Sequence, residues 1–155
     1  MKYIFVALWM FVFSSFAFAQ FSSPDIYQNG KTLVIKNDFG GAITEYMIRY
    51  QKMKIDGASL VIDGECDSAC TMFMGFIPPQ NTCVTENAKI GIHRASRPEG
   101  TMYLMMLYPF TVKLWIMTEG ITEDIKYLPQ ELVDALWVKC TVELDIKPKG
   151  EKVDP

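Results

Sequence analysis

The sequence predicts a single α/β domain with a largely parallel sheet. Short β-rich runs alternate with segments of helical periodicity, and the run at residues 58–62 (ASLVI) is apolar throughout. Alternation of strands and helices is typical of α/β layered domains, and an uninterrupted apolar strand is typical of a parallel sheet covered on both faces. Without the signal peptide that is described below, the chain is long enough to form one hydrophobic core and hardly long enough to form two.

Three residues mark expected helix boundaries. Gly57 ends the first helix, Pro109 starts, kinks or interrupts a helix between residues 100 and 118, and Pro129 suits the first turn of the last helix. The expected strands are residues 32–36, 58–62, 82–85, 89–93 and 138–144, and the other expected helices are residues 43–53, 68–76 and 130–136.

The first nineteen residues form a predicted secretory signal peptide. Tyr3–Phe13 is an almost unbroken apolar run after a positive start, and Ala17–Ala19 is a small-residue cleavage site. The alternative is an uncleaved membrane anchor, but a spanning helix needs ~20 apolar residues. Cleavage leaves one domain over residues 20–146 and a charged tail over 147–155, with no stable membrane anchor. We therefore expect a periplasmic or secreted protein.

The charge balance argues against nucleic-acid binding. Loss of Lys2 with the leader leaves fourteen basic and eighteen acidic side chains, so the mature net charge is −4. Nucleic-acid-binding domains normally show a basic stripe, and the sequence has none. We also expect no metal and no cofactor.

The four cysteines favour disulfides. An even number in an exported chain is typical of disulfide bonding, whereas spacings of 4, 13 and 57 residues lack the short paired knuckles of a zinc site, which is the alternative. Three pairings of Cys66, Cys70, Cys83 and Cys140 are possible. We expect at least one disulfide that involves Cys66 or Cys70, with Cys83 as partner, because the turn and the strand after its helix should be close neighbours.

A pair of glycines, Gly40 and Gly41, falls between the first strand and the first helix. Glycine permits positive φ and close approach to the backbone, and N–H groups at a helix N-terminus can face a developing negative charge. The alternative is an ordinary strand-to-helix turn.

Ser68 falls at the next such turn, within Gly64–Cys70 (GECDSAC). A serine at a tight strand–helix turn exposes its hydroxyl, and the following N–H, that of Ala69, is a candidate oxyanion donor. The arrangement is similar to a nucleophile elbow without the G-x-S-x-G pattern. The alternative is that Asp67 or Ser68 is a helix N-cap.

His93 is the single histidine and ends an apolar strand (KIGIH). A solitary histidine is usually structural, but a serine hydrolase needs an imidazole within hydrogen-bond reach of its serine. Ser68 and His93 are therefore the candidate nucleophile and general base.

Three segments together resemble the ClpP serine-peptidase family, and the cysteines are similar to those of its exported relatives. The segments are residues 37–47 (NDFGGAITEYM), 60–70 (LVIDGECDSAC) and 88–95 (AKIGIHRA). They resemble, in order and spacing, the family's Gly-Gly turn before a helix, its serine at the start of the next helix and its histidine at the end of a later strand. The resemblance covers residues 32–95 and implies a ClpP/crotonase-like spiral of βαβ units.

The resemblance also implies roles for single residues. Ser68 would be the nucleophile and His93 the general base, while Gly41 and Ala69 would supply the oxyanion N–H groups. Asp124 is the expected acid, because the segment just after it resembles the one that follows the family's acid. Two further acids, Glu123 and Glu119, are close rivals.

The chain after His93 is shorter than in the family, in the region where ClpP builds contacts between its rings. A ClpP-like double ring is therefore doubtful, and a homo-oligomer of another kind stays open. The leading interpretation is an exported serine peptidase that acts on a peptide or protein through an acyl-enzyme. The alternative is a catalytically inactive ClpP-like periplasmic binding or envelope protein, and an acyl-CoA enzyme of the crotonase type is a weaker third.

Overall fold

A computed structural model of the chain describes residues 25–29 and 31–140, with side chains over 31–140. The predicted signal peptide over residues 1–19 and the predicted tail over 147–155 lie outside the described residues, and so does the end of the strand expected at 138–144. The boundaries of the domain predicted over 20–146 stay a prediction.

Seven strands in the described part of the chain form one mixed sheet. They are β1 (Asp25–Asn29), β2 (Thr32–Asp38), β3 (Ser59–Asp67), β4 (Thr82–Val84), β5 (Lys89–Ile92), β6 (Lys126–Tyr127) and β7 (Val138–Lys139). β3 is parallel to β2, β4 and β5, and β4 is parallel to β7, whereas β1 with β2 and β5 with β6 are antiparallel. The predicted α/β class with a mostly parallel sheet is confirmed.

β3 pairs with two partners along the edge that faces away from β2. Its first half pairs with β4, with Val61 opposite Cys83, and its last residues pair with β5, with Asp67 opposite Gly91. The strand was expected to end at residue 62, because the polar sequence DGECD that follows predicts a turn. Pairing with β5 extends it instead, and as a result β3 and β5 end side by side.

The α-helices lie between the strands in the chain and follow most of the expected boundaries. They are α1 (Ile43–Asp56), α2 (Phe73–Phe76), α3 (Pro98–Leu107), α4 (Phe110–Glu119) and α5 (Gln130–Leu136), with a 3-10 helix at Ser68–Met72 before α2. Gly57 ends α1 in the left-handed conformation (φ 62°), and Pro109 interrupts the long helix by capping α4. No helix within the described residues combines the length and apolar character needed to cross a bilayer.

The core is built around the inner face of α1. Tyr46, Tyr50 and Met53 are buried at helical spacing, as the sequence pattern predicts. The Tyr50 ring meets Phe73 edge-on with centroids 6.5 Å apart, and Phe73 packs on Trp137 at 5.3 Å. This aromatic chain joins α1, α2 and the end of α5 into one core.

Both disulfides differ from the expected pairing. Cys66 bonds to Cys70 and Cys83 bonds to Cys140, with Cα–Cα distances of 5.3 and 5.0 Å. The prediction of a disulfide involving Cys66 or Cys70 is confirmed, but Cys83 as its partner is wrong. Cys83 lies opposite Val61, five residues along β3 from Cys66, which corresponds to roughly 16 Å of strand.

Candidate active site

Ser68 begins a sharp turn at the carboxyl end of β3. Asp67 still has extended backbone (φ −114°, ψ 155°), whereas Ser68 has φ 55° and opens the 3-10 helix. No other non-glycine residue in the described part of the chain has positive φ. This region costs an L residue roughly 1–2 kcal/mol, and backbone conformations of this kind cluster at functional sites.

Side-chain hydrogen bonds hold this segment, residues 66–72, which we call the serine turn. The Tyr50 hydroxyl on α1 donates to the Cys70 carbonyl at 2.8 Å, and the Thr71 hydroxyl donates to the Ser68 carbonyl at 2.5 Å. The Tyr108 hydroxyl, just after α3, lies 2.8 Å from Thr71 Oγ1. Burial raises the pKa of Tyr108 to about 12, so its proton remains available to this network at neutral pH.

The glycine turn (residues 39–42) packs directly against the serine turn. β2 and β3 are parallel neighbours and end at the same edge of the sheet. Gly40 has φ 86°, and a Cβ built on it would lie 2.6 Å from the Ser68 Cβ and 3.0 Å from the Ala69 nitrogen. Both the conformation and the space therefore require glycine at residue 40.

A buried carboxylate, Asp38, fixes the glycine turn. It accepts hydrogen bonds from the Gly40 N–H at 3.1 Å and from the Tyr46 hydroxyl, and it forms an ion pair with Arg49 at 3.1 Å. The Arg49 guanidinium also lies 4.6 Å from the centroid of the Tyr46 ring. Burial, together with the hydrogen bond to Asp38, raises the pKa of Tyr46 far above its ordinary value, which keeps this hydroxyl a donor.

The two expected oxyanion donors flank the contact between the turns. Asp38 occupies the Gly40 N–H, whereas the Gly41 N–H donates no hydrogen bond within the described residues. Ala69 lies on the other side, with its nitrogen against Gly40. Backbone N–H groups of this kind can stabilise a developing oxyanion when both lie about 2.7–3.1 Å from it.

His93 leaves the neighbouring strand at the same edge. β5 is parallel to β3 and pairs Gly91 with Asp67, so Ser68 and His93 follow that pair by one and two residues. His93 is partly exposed and lines an open cavity of about 840 Å³. Although both side chains are described, no hydrogen bond joins the Ser68 hydroxyl to the His93 ring. The remaining lining residues are Arg94, Ala95, Ser96, Pro98, Thr101 and Glu123.

The three candidate acids lie at and after the end of α4. Asp124 is exposed and is not among the residues that line the cavity of His93. Glu123 lines that cavity and forms an exposed ion pair with Arg94 at 2.7 Å. Glu119 is exposed at the last residue of α4. Glu123 is therefore the acid that shares a surface with His93.

Asp67 is a feature of this site that sequence reasoning missed. It is 1% exposed, and neither carboxylate oxygen has a hydrogen-bond partner in the described part of the chain. A Cβ built on Gly91 would lie 2.0 Å from its Oδ1, so β5 leaves room for it only because residue 91 is glycine. Burial, with the charges of Glu65 and Asp38, raises the pKa of Asp67 to about 6 despite nearby Lys89.

The helix-cap alternative for the serine turn is not supported. Asp67 occupies the N-cap position of the 3-10 helix but makes no side-chain cap hydrogen bond. Ser68 is the first residue of that helix rather than its cap. The sequence signal for Asp67, an acid directly before Ser68, pointed to a cap and gave no indication of an unpaired buried carboxylate.

Metal binding finds no support in residues 31–140. No three His, Cys, Asp or Glu side chains there come together as ligands. The four cysteines are all in disulfides, so they offer no thiolates to zinc.

Comparison with known proteins adds no family assignment. No protein-family model matches this chain, and no curated protein sequence matches it.

Proposed function

We propose that this protein is an exported serine peptidase of the ClpP-like type, which acts on a peptide or protein through an acyl-enzyme at Ser68. The observation that supports it best is the contact between the two turns. A serine with φ 55° lies against the glycine turn, where a glycine Cβ would be 2.6 Å from the Ser68 Cβ. Helix capping explains neither the left-handed serine nor this close approach.

Ser68 needs a base, and His93 is the single imidazole in the chain. In the proposed mechanism the His93 ring takes the Ser68 proton as Oγ attacks the substrate carbonyl, and then returns a proton to the leaving amine. The two residues follow adjacent parallel strands, and this brings them to the same edge of the sheet. Catalytic hydrogen bonds are often long without substrate and tighten when it binds.

The Gly41 and Ala69 N–H groups hold the oxyanion in this proposal. Asp38 supports them indirectly, because its bond to the Gly40 N–H fixes the glycine turn. Removal of one oxyanion donor typically lowers kcat about 10²–10³-fold. The turn that supplies Gly41 is therefore part of the catalytic machinery in this proposal.

The acid of the triad is Asp124 by resemblance, with Glu123 as the rival that shares the cavity of His93. Asp124→Asn and Glu123→Gln separate the two. The acid is the residue whose substitution lowers turnover more. That decrease in turnover should be smaller than the decrease caused by Ser68→Ala or His93→Ala. Wild-type turnover in both variants leaves Glu119 as the acid or a Ser–His dyad as the mechanism.

Several features fit an exported peptidase. Two disulfides are typical of an oxidising compartment, in agreement with the predicted signal peptide. The cavity beside His93 is open, and charged, polar and apolar side chains line it, a mixture that suits a solvated peptide. A ClpP/crotonase-like spiral agrees with the parallel sheet and its helical crossovers.

The test is reaction with a fluorophosphonate probe on the mature, oxidised protein. We expect one covalent adduct, located at Ser68 by peptide mass analysis, and its loss in Ser68→Ala and His93→Ala. Ser59→Ala is the matched control, because Ser59 is an exposed serine at the opposite end of β3, and it should label as the wild type does. The losses in Ser68→Ala and His93→Ala should not add in the double variant.

The second candidate is a non-catalytic binding protein with the same fold. The observation that favours it is the lack of a hydrogen bond between the described side chains of Ser68 and His93. A folded wild-type protein that stays unlabelled at high probe concentration supports this candidate and excludes the hydrolase.

A further inference from the structure

We propose that the Cys66–Cys70 disulfide is a positioning element for the nucleophile: it holds the Ser68 backbone in the left-handed conformation that places the serine against the glycine turn. The part of this inference that concerns turnover rests on the proposed hydrolase function. The part that concerns the backbone does not.

The geometry follows from where the chain must reverse. The disulfide holds the Cα atoms of Cys66 and Cys70 at 5.3 Å, whereas four residues of extended chain would span about 13 Å. Cys66 and Asp67 still belong to β3, and Asp67 is fully extended. The reversal therefore begins at Ser68, which has φ 55°.

Side-chain hydrogen bonds of the serine turn do not span Ser68 in this way. The Tyr50 hydroxyl binds the Cys70 carbonyl, and Thr71 binds the Ser68 carbonyl, so both act on the C-terminal side. The side chain of Asp67, on the N-terminal side, forms no hydrogen bond within the described residues. The disulfide joins the two sides, and both of its cysteines are fully buried.

The second disulfide differs from Cys66–Cys70 in the length of chain that it closes. Cys83–Cys140 closes a separation of 57 residues between β4 and the residue after β7, whereas Cys66–Cys70 closes a separation of four. Stabilisation through the unfolded state grows with the length of the closed loop. We therefore assign Cys83–Cys140 to the stability of the whole fold and Cys66–Cys70 to the local backbone.

The first experiment measures the backbone effect by unfolding and needs no activity. Ser68→Gly and Ser68→Ala both remove the hydroxyl, but only glycine adopts positive φ without cost. With the disulfide intact, the unfolding equilibrium constant of Ser68→Gly should be roughly five-fold lower than that of Ser68→Ala. In the Cys66→Ala/Cys70→Ala background this advantage of glycine should disappear or reverse, because residue 68 can relax to negative φ, where alanine is the more stabilising residue.

Three outcomes overturn the inference. In the first, the ratio of the unfolding equilibrium constants of Ser68→Gly and Ser68→Ala does not change when the Cys66–Cys70 disulfide is removed. In the second, that ratio changes equally in a Cys83→Ala/Cys140→Ala background. If Cys66→Ala/Cys70→Ala does not fold, Cys66→Val/Cys70→Val refills the buried space and takes its place. Failure of both to fold, while Cys83→Ala/Cys140→Ala folds, is the third, because the short disulfide would then support the whole domain.

The second experiment measures fluorophosphonate labelling of Ser68 on folded protein, well below each unfolding midpoint. Misplacement of a reacting group by about 1 Å can cost roughly 100-fold in rate. We expect the labelling rate to fall by roughly 100-fold in Cys66→Ala/Cys70→Ala. In Cys83→Ala/Cys140→Ala we expect it to fall by less than about three-fold, because residues near Ser68 keep their positions. Equal labelling rates in the wild type and the Cys66→Ala/Cys70→Ala protein overturn this inference but not the proposed hydrolase function. An unlabelled wild type rejects the hydrolase function, and the unfolding experiment then decides whether the disulfide holds the backbone.

Discussion

Two buried aspartates end neighbouring strands of this sheet and differ completely in their partners. Asp38 ends β2 and binds the Gly40 N–H, the Tyr46 hydroxyl and Arg49, whereas Asp67 ends β3 with both oxygens unpaired among the described residues. Buried carboxylates normally find partners, because an unpaired one costs free energy.

The difference indicates which residues of this fold contribute unfavourably to its folding free energy. The paired carboxylate orders the glycine turn and so contributes to stability. The unpaired one directly precedes Ser68, whose backbone is itself in an unfavourable conformation. Natural proteins usually depart from the rules of good local structure at functional sites, and both departures here fall on adjacent residues of the serine turn.

Asp38→Ala should have the largest effect on stability. It leaves Arg49 without its partner, along with the Tyr46 hydroxyl and the Gly40 N–H, and should lower the free energy of unfolding by about 4 kcal/mol. Urea denaturation measures it. Asp56→Ala removes an exposed ion pair with Lys52 and should cost less than about 1 kcal/mol; similar costs for the two variants would contradict a structural role for the Asp38 network.

Gly40→Ala should have the next largest effect, about 3 kcal/mol, because a Cβ would meet Ser68 and the serine-turn backbone at φ 86°. Gly57→Ala is the matched control. Gly57 also has positive φ but has open space around its Cβ position, so only the conformational cost of about 1 kcal/mol applies. Equal melting-temperature losses in the two variants would show that the turns do not press together as described.

Asp67→Asn should have the smallest effect and the opposite sign. The pKa of Asp67 is near 6 in the folded protein and 3.8 ordinarily, so the folded state binds the proton more tightly. Stability from this residue is complete below about pH 4 and is lost as pH rises through 6, by an amount of order 3 kcal/mol. Asp67→Asn should flatten this dependence and match or exceed the wild type at pH 8.

The contradicting result for Asp67 is a wild-type protein whose free energy of unfolding changes between pH 4 and 8 as it does in Asp67→Asn. Glu65, Asp38, Lys89 and Tyr127 share its electrostatic surroundings. Because these residues are present in both proteins, the difference between the two curves isolates residue 67.

The sequence predicted those parts of the fold that depend on local pattern. The spacing of Tyr46, Tyr50 and Met53 predicted α1, and Pro109 predicted a break between two helices, because periodicity and proline act within a few residues. Strand β6, with two residues, is too short to show any period. The two turns were predicted as strand-to-helix turns, but their mutual contact depends on the parallel pairing of β2 with β3.

What the sequence could not predict depends on register between distant strands. The exchange of partners along β3, from β4 to β5, decides that Cys83 lies opposite Val61 and far from Cys66. The same register places Asp67 opposite Gly91 and makes it a buried, unpaired acid. These features depend on pairs of strand residues that are 20 or more positions apart in the sequence, and local propensity carries no information about such pairs.

The most direct test of the central claim is a crystal structure of the fluorophosphonate-treated protein. We predict a phosphorus–Oγ bond at Ser68, with a phosphonyl oxygen about 2.7–3.1 Å from both the Gly41 and the Ala69 nitrogens, and the His93 ring turned toward Oγ. An adduct whose phosphonyl oxygen faces solvent, away from the glycine turn, or the absence of any adduct at Ser68, would contradict the account.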